Sequence, residues 1–225
     1  MRTGDGSNGL YFPSCTEDNA RSVKIVREEK LIHCGAFAES AAWVRARKKL
    51  HAAVKAVEWP PNSGKFTIYA ESGKKRGEGN GVKPIKDGLM LDLKKQGWKL
   101  EQIVQFGGKR NPGKFDALLD TDSGPVVLEW ETGNISSSHR SLNKMALGIM
   151  RGKIAAGILI VPSTAFARYL TDRIGNIREL EPYLELWQAT PCKHGGVLEI
   201  VVIEHDATST DVPRITKMTD GRALA

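Results

Sequence analysis

The stretch KFDALLDTDSGPVVLEWE, residues 114–131, predicts two neighbouring β-strands joined by a turn. Apolar residues on either side of DTDSG form the two strands, and DTDSG itself has the composition of a tight turn. Because side chains alternate faces along a strand, Glu129 and Glu131 are expected on one face and Trp130 on the other. Asp116 lies on the hairpin partner, where its carboxylate is expected to stand beside them.

The rest of the chain alternates between helical and strand-like patterns around this pair. Trp43, Leu50 and Val57 recur at every seventh position, which is typical of a helix. The remaining predictions are helices from about Glu17 to His33, Glu39 to Val57, Asp87 to Lys95, Arg140 to Met150 and Thr164 to Leu170, with strands at 65–69, 114–119, 126–131, 155–161 and 197–204. This order predicts an α/β fold with a central mixed sheet flanked by helices.

The composition limits which domain organisations and which classes of protein are possible. Residues 1–16 are rich in Gly, Ser, Asn and Thr and are expected to form a flexible N-terminal arm, with residues 17–225 as a single domain. No run approaches the ~20 apolar residues of a membrane span, so a soluble protein without a membrane segment is expected. Cys15, Cys34 and Cys192 form no CxxC pair and predict neither a disulfide framework nor a four-cysteine zinc site.

Positive charge is concentrated in one part of the chain. The 33 Lys and Arg outnumber the 26 Asp and Glu, leaving a net charge of +7. Residues 65–114 alone hold twelve of these cations against five acids, many of them in the Gly-rich loops ESGKKRGEGNG and FGGKRNPGK. The natural partner of such loops is a phosphate backbone. A solvated basic surface that aids solubility is the alternative.

The acidic residues of the quoted stretch suggest a metal site. Three carboxylates on one sheet face repel each other unless they hold a cation, and oxygen-only ligands suit Mg²⁺. In a basic protein this layout favours hydrolysis of phosphodiesters. The alternative is that Asp116, Glu129 and Glu131 lie on a solvated strand face, since such a spacing also arises by chance.

A resemblance emerges from the segments that follow. The segment EWETGNISSSHRSLNK, from Glu129, together with the later YLTDR and ELEPYLEL, resembles the BamHI family of type II restriction endonucleases, within the PD-(D/E)XK nuclease superfamily. Trp59-Pro60, NGVKPIK and the stretch from Gly97 to Glu101 extend it, so that it covers roughly residues 50–221. It implies a restriction-endonuclease-like core in which Glu131 takes the place of the usual lysine.

The resemblance also implies roles for the acidic residues. Asp116, Glu129 and Glu101, with the backbone carbonyl of Trp130, become ligands of Mg²⁺, with two ions in each active site. Glu131 orients or deprotonates the attacking water. Two such ions steady the attacking and the leaving oxygens of an in-line displacement.

The resemblance also implies that six further residues recognise the DNA sequence. Those expected in the DNA grooves are Asn134, Ser136, Arg140, Asp172 and Arg173 in the major groove and Asp220 near the minor groove. Arg pairs with guanine, Asp accepts from cytosine and Asn pairs with adenine, which suits the palindrome GGATCC. Cleavage after the first G leaves four-base 5′ overhangs. Helix capping by Asn134 and Asp172 is the alternative reading.

A palindromic site implies a two-fold homodimer. The implied dimer face is the helix from Arg140 through Arg151 together with ELEPYLEL, where Met150, Arg151 and Gln188 depart from the family pattern. A bacterial, cytoplasmic enzyme that acts on double-stranded DNA is therefore expected. Two alternatives remain open: a nuclease on the same core with a different specificity, and a DNA-binding module that has lost catalysis.

Overall fold

A mixed β-sheet forms the centre of the protein in the computed structural model, which describes residues 23–75, 78–108, 112–131, 133–171 and 174–217. Its strands, in chain order, are β1 (Lys24–Cys34), β2 (Thr67–Tyr69), β3 (Lys99–Ile103), β4 (Lys114–Leu119), β5 (Val126–Trp130), β6 (Ala156–Pro162), β7 (Gly196–Glu204) and β8 (Ala207–Ser209). Six of them follow the order β1-β7-β6-β5-β4-β3, and β2 pairs with β8 in a separate parallel pair.

Helices cover both faces of this sheet. They are α1 (Gly35–Ala38), α2 (Ala41–Lys55), α3 (Lys83–Lys95), α4 (Ile135–Met150), α5 (Thr164–Ala167), α6 (Ile177–Leu180) and α7 (Leu184–Gln188), with a 3₁₀ turn at Glu181–Tyr183. One apolar layer holds the buried faces of α2 and α3, and the opposite layer holds those of α4, α6 and α7. The α/β fold with a central mixed sheet is confirmed. Within the described ranges, no helix is long and apolar enough to cross a membrane.

The middle of the sheet explains why α4 lies beside β5. Every residue of β6 is buried, because β6 pairs in parallel with β5 on one side and β7 on the other. Two parallel neighbours need a crossover connection, and α4 supplies it between β5 and β6. The helix therefore begins only a few residues after the acidic end of β5 and packs against the same sheet face.

Several predicted elements differ from the structure: α4 begins at Ile135 rather than at Arg140, and α5 ends at Ala167 rather than at Leu170. The region up to His33, predicted as a helix, is the strand β1 in its described part, which pairs antiparallel with β7 and covers what would otherwise be an exposed apolar edge. Tertiary pairing has overridden the local pattern. Helix α3 begins at Lys83, with Pro84 in its first turn, rather than at Asp87. The predicted arm, residues 1–16, lies outside the described residues.

One pair of cysteines is bonded, which the sequence did not predict. Cys34, at the end of β1, forms a disulfide with Cys192, just before β7, and their Cα atoms are 6.6 Å apart. The two segments meet closely there, since a Cβ added to Gly35 would lie 2.8 Å from the Cα of Gly195. The bond joins segments that the sheet already brings together, which sequence spacing could not reveal.

Candidate active site

Regular pairing between β4 and β5 ends where the acidic residues begin. The paired residues are Ala117 with Leu128, Leu118 with Val127 and Leu119 with Val126. The next residues in this register are Asp116 and Glu129. There the carboxylate Oδ2 of Asp116 accepts a hydrogen bond from the backbone N–H of Trp130 at 2.8 Å. The Asp116 carboxylate thus takes the role of a strand partner and lies at the gap where the two strands separate.

A lysine from α3 reaches the same gap. Lys86 Nζ donates to Asp116 Oδ1 at 2.7 Å and to the backbone carbonyl oxygen of Trp130 at 3.4 Å. The side chains of Lys86 and Asp116 are 25% and 13% exposed, so the pair is largely withdrawn from water. Two oxygen atoms predicted as metal ligands therefore converge on one cationic group.

Glu129 is buried on the other side of the strand. It forms an ion pair with Lys144 of α4, and Lys144 also donates to the carbonyl oxygen of Lys114 at 2.6 Å and lies over the Phe115 ring. Burial raises the pKa of Glu129 to about 7, while the charge of Lys144 opposes the shift and the carboxylate of Asp116 adds to it. A buried carboxyl with a pKa near neutrality is typical of functional sites.

Glu131 follows β5 directly and also faces α4. Its Oε1 accepts a hydrogen bond at 2.5 Å from the hydroxyl of Ser141, which is 2% exposed. Ser141 and Lys144 are three residues apart on α4 and therefore share one helix face. The prediction that Glu129 and Glu131 point to the same side is confirmed, and Trp130 packs into the opposite apolar layer.

Asp116 departs from the predicted single acidic face. Its partners are the α3 ammonium of Lys86 and the β5 backbone, whereas Glu129 and Glu131 contact α4. The three carboxylates come together at the end of the same strand pair but approach it from two sides. The irregular register explains this difference, because the ladder no longer holds Asp116 where alternation would place it.

Glu101 lies on β3, across from Asp116. The neighbouring pairs are Leu100 with Ala117 and Gln102 with Phe115. Its backbone φ of 54° is unusual for a residue other than glycine and marks local strain of the kind found at functional sites. The side chain is exposed, and its Oε2 lies 3.9 Å from Lys114 Nζ. The structure therefore brings Glu101 to the predicted site without placing its carboxylate in contact with the others.

The donor set fits Mg²⁺, although the carboxylates are engaged by lysines. In the part of the chain that the structure describes, no three His, Cys, Asp or Glu side chains form a ready metal cluster. The convergence of Asp116 Oδ1 and the Trp130 carbonyl on an ammonium group shows that this place accepts a cation. Carboxylate and carbonyl oxygens are the ligands that Mg²⁺ prefers.

Sequence reasoning missed three residues that organise this site: Lys86, Ser141 and Lys144. A signal was available for two of them, since Ser141 and Lys144 follow the acidic strand at a spacing that matches one helix face. Nothing in the spacing of Lys86 indicates that it reaches Asp116, because that contact joins two elements through the fold.

The N-cap and the first two turns of α4 carry the described part of the predicted DNA-reading set. Asn134 occupies the N-cap position with an extended backbone, but its side chain makes no capping hydrogen bond. The capping alternative therefore does not account for the Asn134 amide. Ser136 and Arg140 are exposed, and Arg140 contacts the Ser137 hydroxyl at 3.4 Å.

Asp172, Arg173 and Asp220 lie outside the described residues. The residues that follow the first two are described: the Gly175 N–H donates to the Gly133 carbonyl at 3.1 Å. A Cβ on Gly175 would lie 2.9 Å from the Cα of Ile135. Gly175, two residues after Arg173 in the sequence, therefore packs directly against the start of α4.

Comparisons with known proteins identify the family of the chain. A family model described as "Restriction endonuclease BamHI" matches residues 23–222. The type II restriction enzyme OkrAI from Oceanobacter kriegii is 43% identical over 202 residues, which cover 90% of this chain and all of the relative. The type II restriction enzyme BamHI from Bacillus amyloliquefaciens is 36% identical over 170 residues, covering 72% of this chain and 75% of the relative.

The fold also matches a solved structure. The restriction endonuclease BglII in complex with a DNA 16-mer superposes with a TM-score of 0.51 over 86% of this chain and 88% of that chain. The sequence identity is 10%, so this likeness concerns the fold alone. It confirms the restriction-endonuclease-like core.

Proposed function

Because the chain belongs to the BamHI family of type II restriction endonucleases, we propose that it cleaves double-stranded DNA at GGATCC. Cleavage after the first G leaves four-base 5′ overhangs. Membership makes the protein an endodeoxyribonuclease, and the recognition sequence and cut position are the proposal. The observation that carries the chemistry is the meeting of Asp116, Glu129 and Glu131 where β4 and β5 separate.

We assign the metal ligands to Asp116, Glu129, Glu101 and the Trp130 carbonyl. Mg²⁺ bound by these oxygens lowers the pKa of water and stabilises negative charge on the scissile phosphate. Asp116 and Glu129 are positioned for this role by their hydrogen bonds to the Trp130 N–H and to Lys144. A preference of this site for two ions, rather than one, follows from the family resemblance.

Glu131 acts on the attacking water. The Ser141 hydroxyl donates to Oε1, which fixes the orientation of the carboxylate. A carboxylate held in this way orients the water and accepts its proton as the phosphodiester is attacked. The expected products carry a 5′-phosphate and a 3′-hydroxyl.

Base reading is assigned to the N-terminal part of α4 and the segment packed against it. Asn134 is the N-cap of α4, Ser136 and Arg140 lie in its first two turns, and Asp172 and Arg173 are expected to act beside them in the major groove. Exposure of the α4 residues and the Gly175–Gly133 hydrogen bond support this grouping. Arginine and asparagine make bidentate contacts to guanine and adenine, as a G/C-bordered site with a central AT requires. Asp220 is assigned to the minor groove.

A homodimer would read the two half-sites. Met150 on α4, and Tyr183 and Leu186 on the segment formed by the 3₁₀ turn and α7, are exposed large apolar residues. The two segments form one surface, since the His139 ring packs edge-on to Tyr183 with centroids 4.8 Å apart. Leu186→Glu should convert a dimer to monomers in sedimentation, whereas Leu91→Glu on α3, equally exposed, should leave it intact. A monomeric wild-type protein would contradict the proposal.

The test of specificity is digestion of long DNA with Mg²⁺ or with EDTA, followed by sequencing of the product ends. Ends that read 5′-GATCC only with Mg²⁺ would support both the chemistry and the site. Uniform ends at another sequence would overturn the base assignments and leave a nuclease of different specificity. DNA binding without cleavage would favour an inactive binding module instead.

Arg173 offers a sharper test of base reading. Arg173→Ala should abolish cleavage at GGATCC while weak, salt-sensitive DNA binding remains, because bidentate guanine contacts carry specificity and phosphate contacts carry affinity. Arg178→Ala on α6 serves as the matched arginine control. Retained preference for GGATCC in Arg173→Ala would remove this residue from the readout.

A further inference from the structure

Asn80 lies at a junction of three chain segments. The residue is fully buried. Its side-chain Nδ2 donates to the carbonyl oxygens of Tyr69 and Tyr169, each at 2.9 Å, and its Oδ1 accepts from the Ile215 N–H at 3.1 Å. All three polar contacts of one buried amide are thus made to backbone groups of separate segments.

The backbone of Asn80 strengthens the same junction. Its N–H donates to the Tyr169 carbonyl at 2.8 Å, and its carbonyl accepts from the Thr171 N–H at 3.1 Å. The Gly81 N–H donates to the Ile215 carbonyl at 2.9 Å. Asn80 therefore bridges the segment that ends at Thr171 and the segment around Ile215.

Glycines allow the segments to approach this closely. A Cβ on Gly73 would lie 1.5 Å from the Leu170 carbonyl oxygen, and one on Gly81 would lie 2.4 Å from the Thr216 carbonyl oxygen. No side chain fits at either place, so backbone meets backbone. Contacts of this kind transmit position, since close-packed backbones have little room to shift independently.

The segment of Asn80 itself and two of the segments that it contacts lead to three parts of the proposed enzyme. Six residues after Asn80, Lys86 on α3 bonds the Asp116 carboxylate. Thr171 immediately precedes Asp172 and Arg173, and Ile215 lies shortly before Asp220. The junction therefore joins the active-site helix to both segments that are assigned to base reading.

We propose that Asn80 is a positioning residue for sequence discrimination, which holds Thr171 and Ile215, the described residues that lead to the two reading segments, relative to the active-site helix α3. The inference rests on the proposed function, because it requires that those segments read DNA. Loss of the Nδ2 donors would leave the carbonyls of Tyr69 and Tyr169 without their side-chain partner and loosen the alignment of the reading segments. Discrimination between the recognised site and its single-base variants should then fall more than the rate at the recognised site.

Two variants test the amide. Asn80→Asp keeps the shape and an acceptor but removes both Nδ2 donors, and Asn80→Ser removes the amide without burying a charge. Val54→Ala on α2 is the control, because Val54 is equally buried yet distant in the chain from these segments and should lower stability through a small cavity. All variants are assayed well below their unfolding midpoints, as determined by circular dichroism.

The readout is the ratio of kcat/KM at the site that wild type prefers to kcat/KM at each single-base variant of it. Asn80→Ser is expected to lower this ratio at least about tenfold, which corresponds to the loss of one well-formed base contact. Val54→Ala should leave the ratio within about twofold. If Asn80→Asp fails to fold, Asn80→Ser alone decides the question.

Two outcomes overturn the inference in distinguishable ways. A folded Asn80→Ser that keeps the wild-type ratio would show that the amide only stabilises the fold, and the proposed function would stand. A wild-type protein that cleaves without any preferred sequence would overturn the proposed specificity and this inference together.

Discussion

The buried pair of Glu129 and Lys144 makes the stability of the metal-free protein depend on pH in a way that Lys144→Met should change. Because the folded pKa of Glu129, about 7, lies above its ordinary value of 4.5, wild type loses stability as the pH rises from about 4.5 through 7. Without the lysine charge the pKa rises further, so the carboxyl stays protonated at pH 8 and the loss of stability continues to higher pH.

The expected magnitude follows from the ionised fraction. At pH 8, one unit above a pKa of about 7, ionisation of Glu129 stabilises folded wild type by about 1.4 kcal/mol, and at pH 6 by less than about 0.1 kcal/mol. Lys144→Met loses this stabilisation, because its Glu129 carboxyl stays protonated at both pH values. It also loses the hydrogen bond to the Lys114 carbonyl and the contact with the Phe115 ring, about 1–2 kcal/mol at either pH.

Urea unfolding in EDTA at pH 6 and pH 8 measures both parts. The destabilisation by Lys144→Met should be larger at pH 8 by about 1.4 kcal/mol. In a Glu129→Gln background, Lys144→Met should lower the free energy of unfolding equally at the two pH values. This comparison isolates the contribution of the ion pair between Glu129 and Lys144. An equal loss at both pH values in the wild-type background would refute the reasoning.

Three further predictions concern single side chains. Glu131→Ala should bind DNA and cleave it about 10²–10⁴-fold more slowly, and Glu131→Lys should not restore the rate, as single-turnover cleavage would show. Lys86→Met should bind Mn²⁺ about fivefold more tightly without DNA, because a competing ion pair worth on the order of 1 kcal/mol is removed; unchanged affinity by calorimetry would contradict this. Burial raises the pKa of Glu199 to about 7, so wild type should lose about 1.3 kcal/mol more stability than Glu199→Gln between pH 6 and pH 8. Urea unfolding of both proteins at the two pH values measures this. An equal change in the free energy of unfolding for wild type and Glu199→Gln would disprove the raised pKa of Glu199.

The sequence was sufficient for the elements that have strong periodicity. Helix α2 and the strands β4, β5, β6 and β7 lie close to where the patterns predict them, because each buries a regular apolar face. Strand β1 was misread, since its half-buried pattern is ambiguous until β7 is present to pair with it. Short elements such as α6, capped by Asn176 and Glu179, depend on local hydrogen bonds that the periodicity does not report.

The active-site residues likewise separate into those that the sequence predicts and those that it does not. Glu129 and Glu131 were predictable because alternation along one strand sets their common direction. The position of Asp116 was not, because it depends on an interruption of the ladder and on a lysine from another helix. Local patterns therefore predict which side chains share an element, whereas contacts between elements require the folded chain.

Helix α4 connects functions that the sequence presents as separate motifs. Its N-cap and first two turns carry the exposed residues assigned to base reading, while Ser141 and Lys144, in its middle, hold Glu131 and Glu129. A helix of 16 residues is about 24 Å long and behaves as one rigid element. Any displacement of its first turn by DNA must therefore move the Ser141 hydroxyl and the Lys144 ammonium with it. Correct alignment of the Glu131 carboxylate then depends on the contacts that the same helix makes with the bases, which gives cleavage a physical reason to follow recognition.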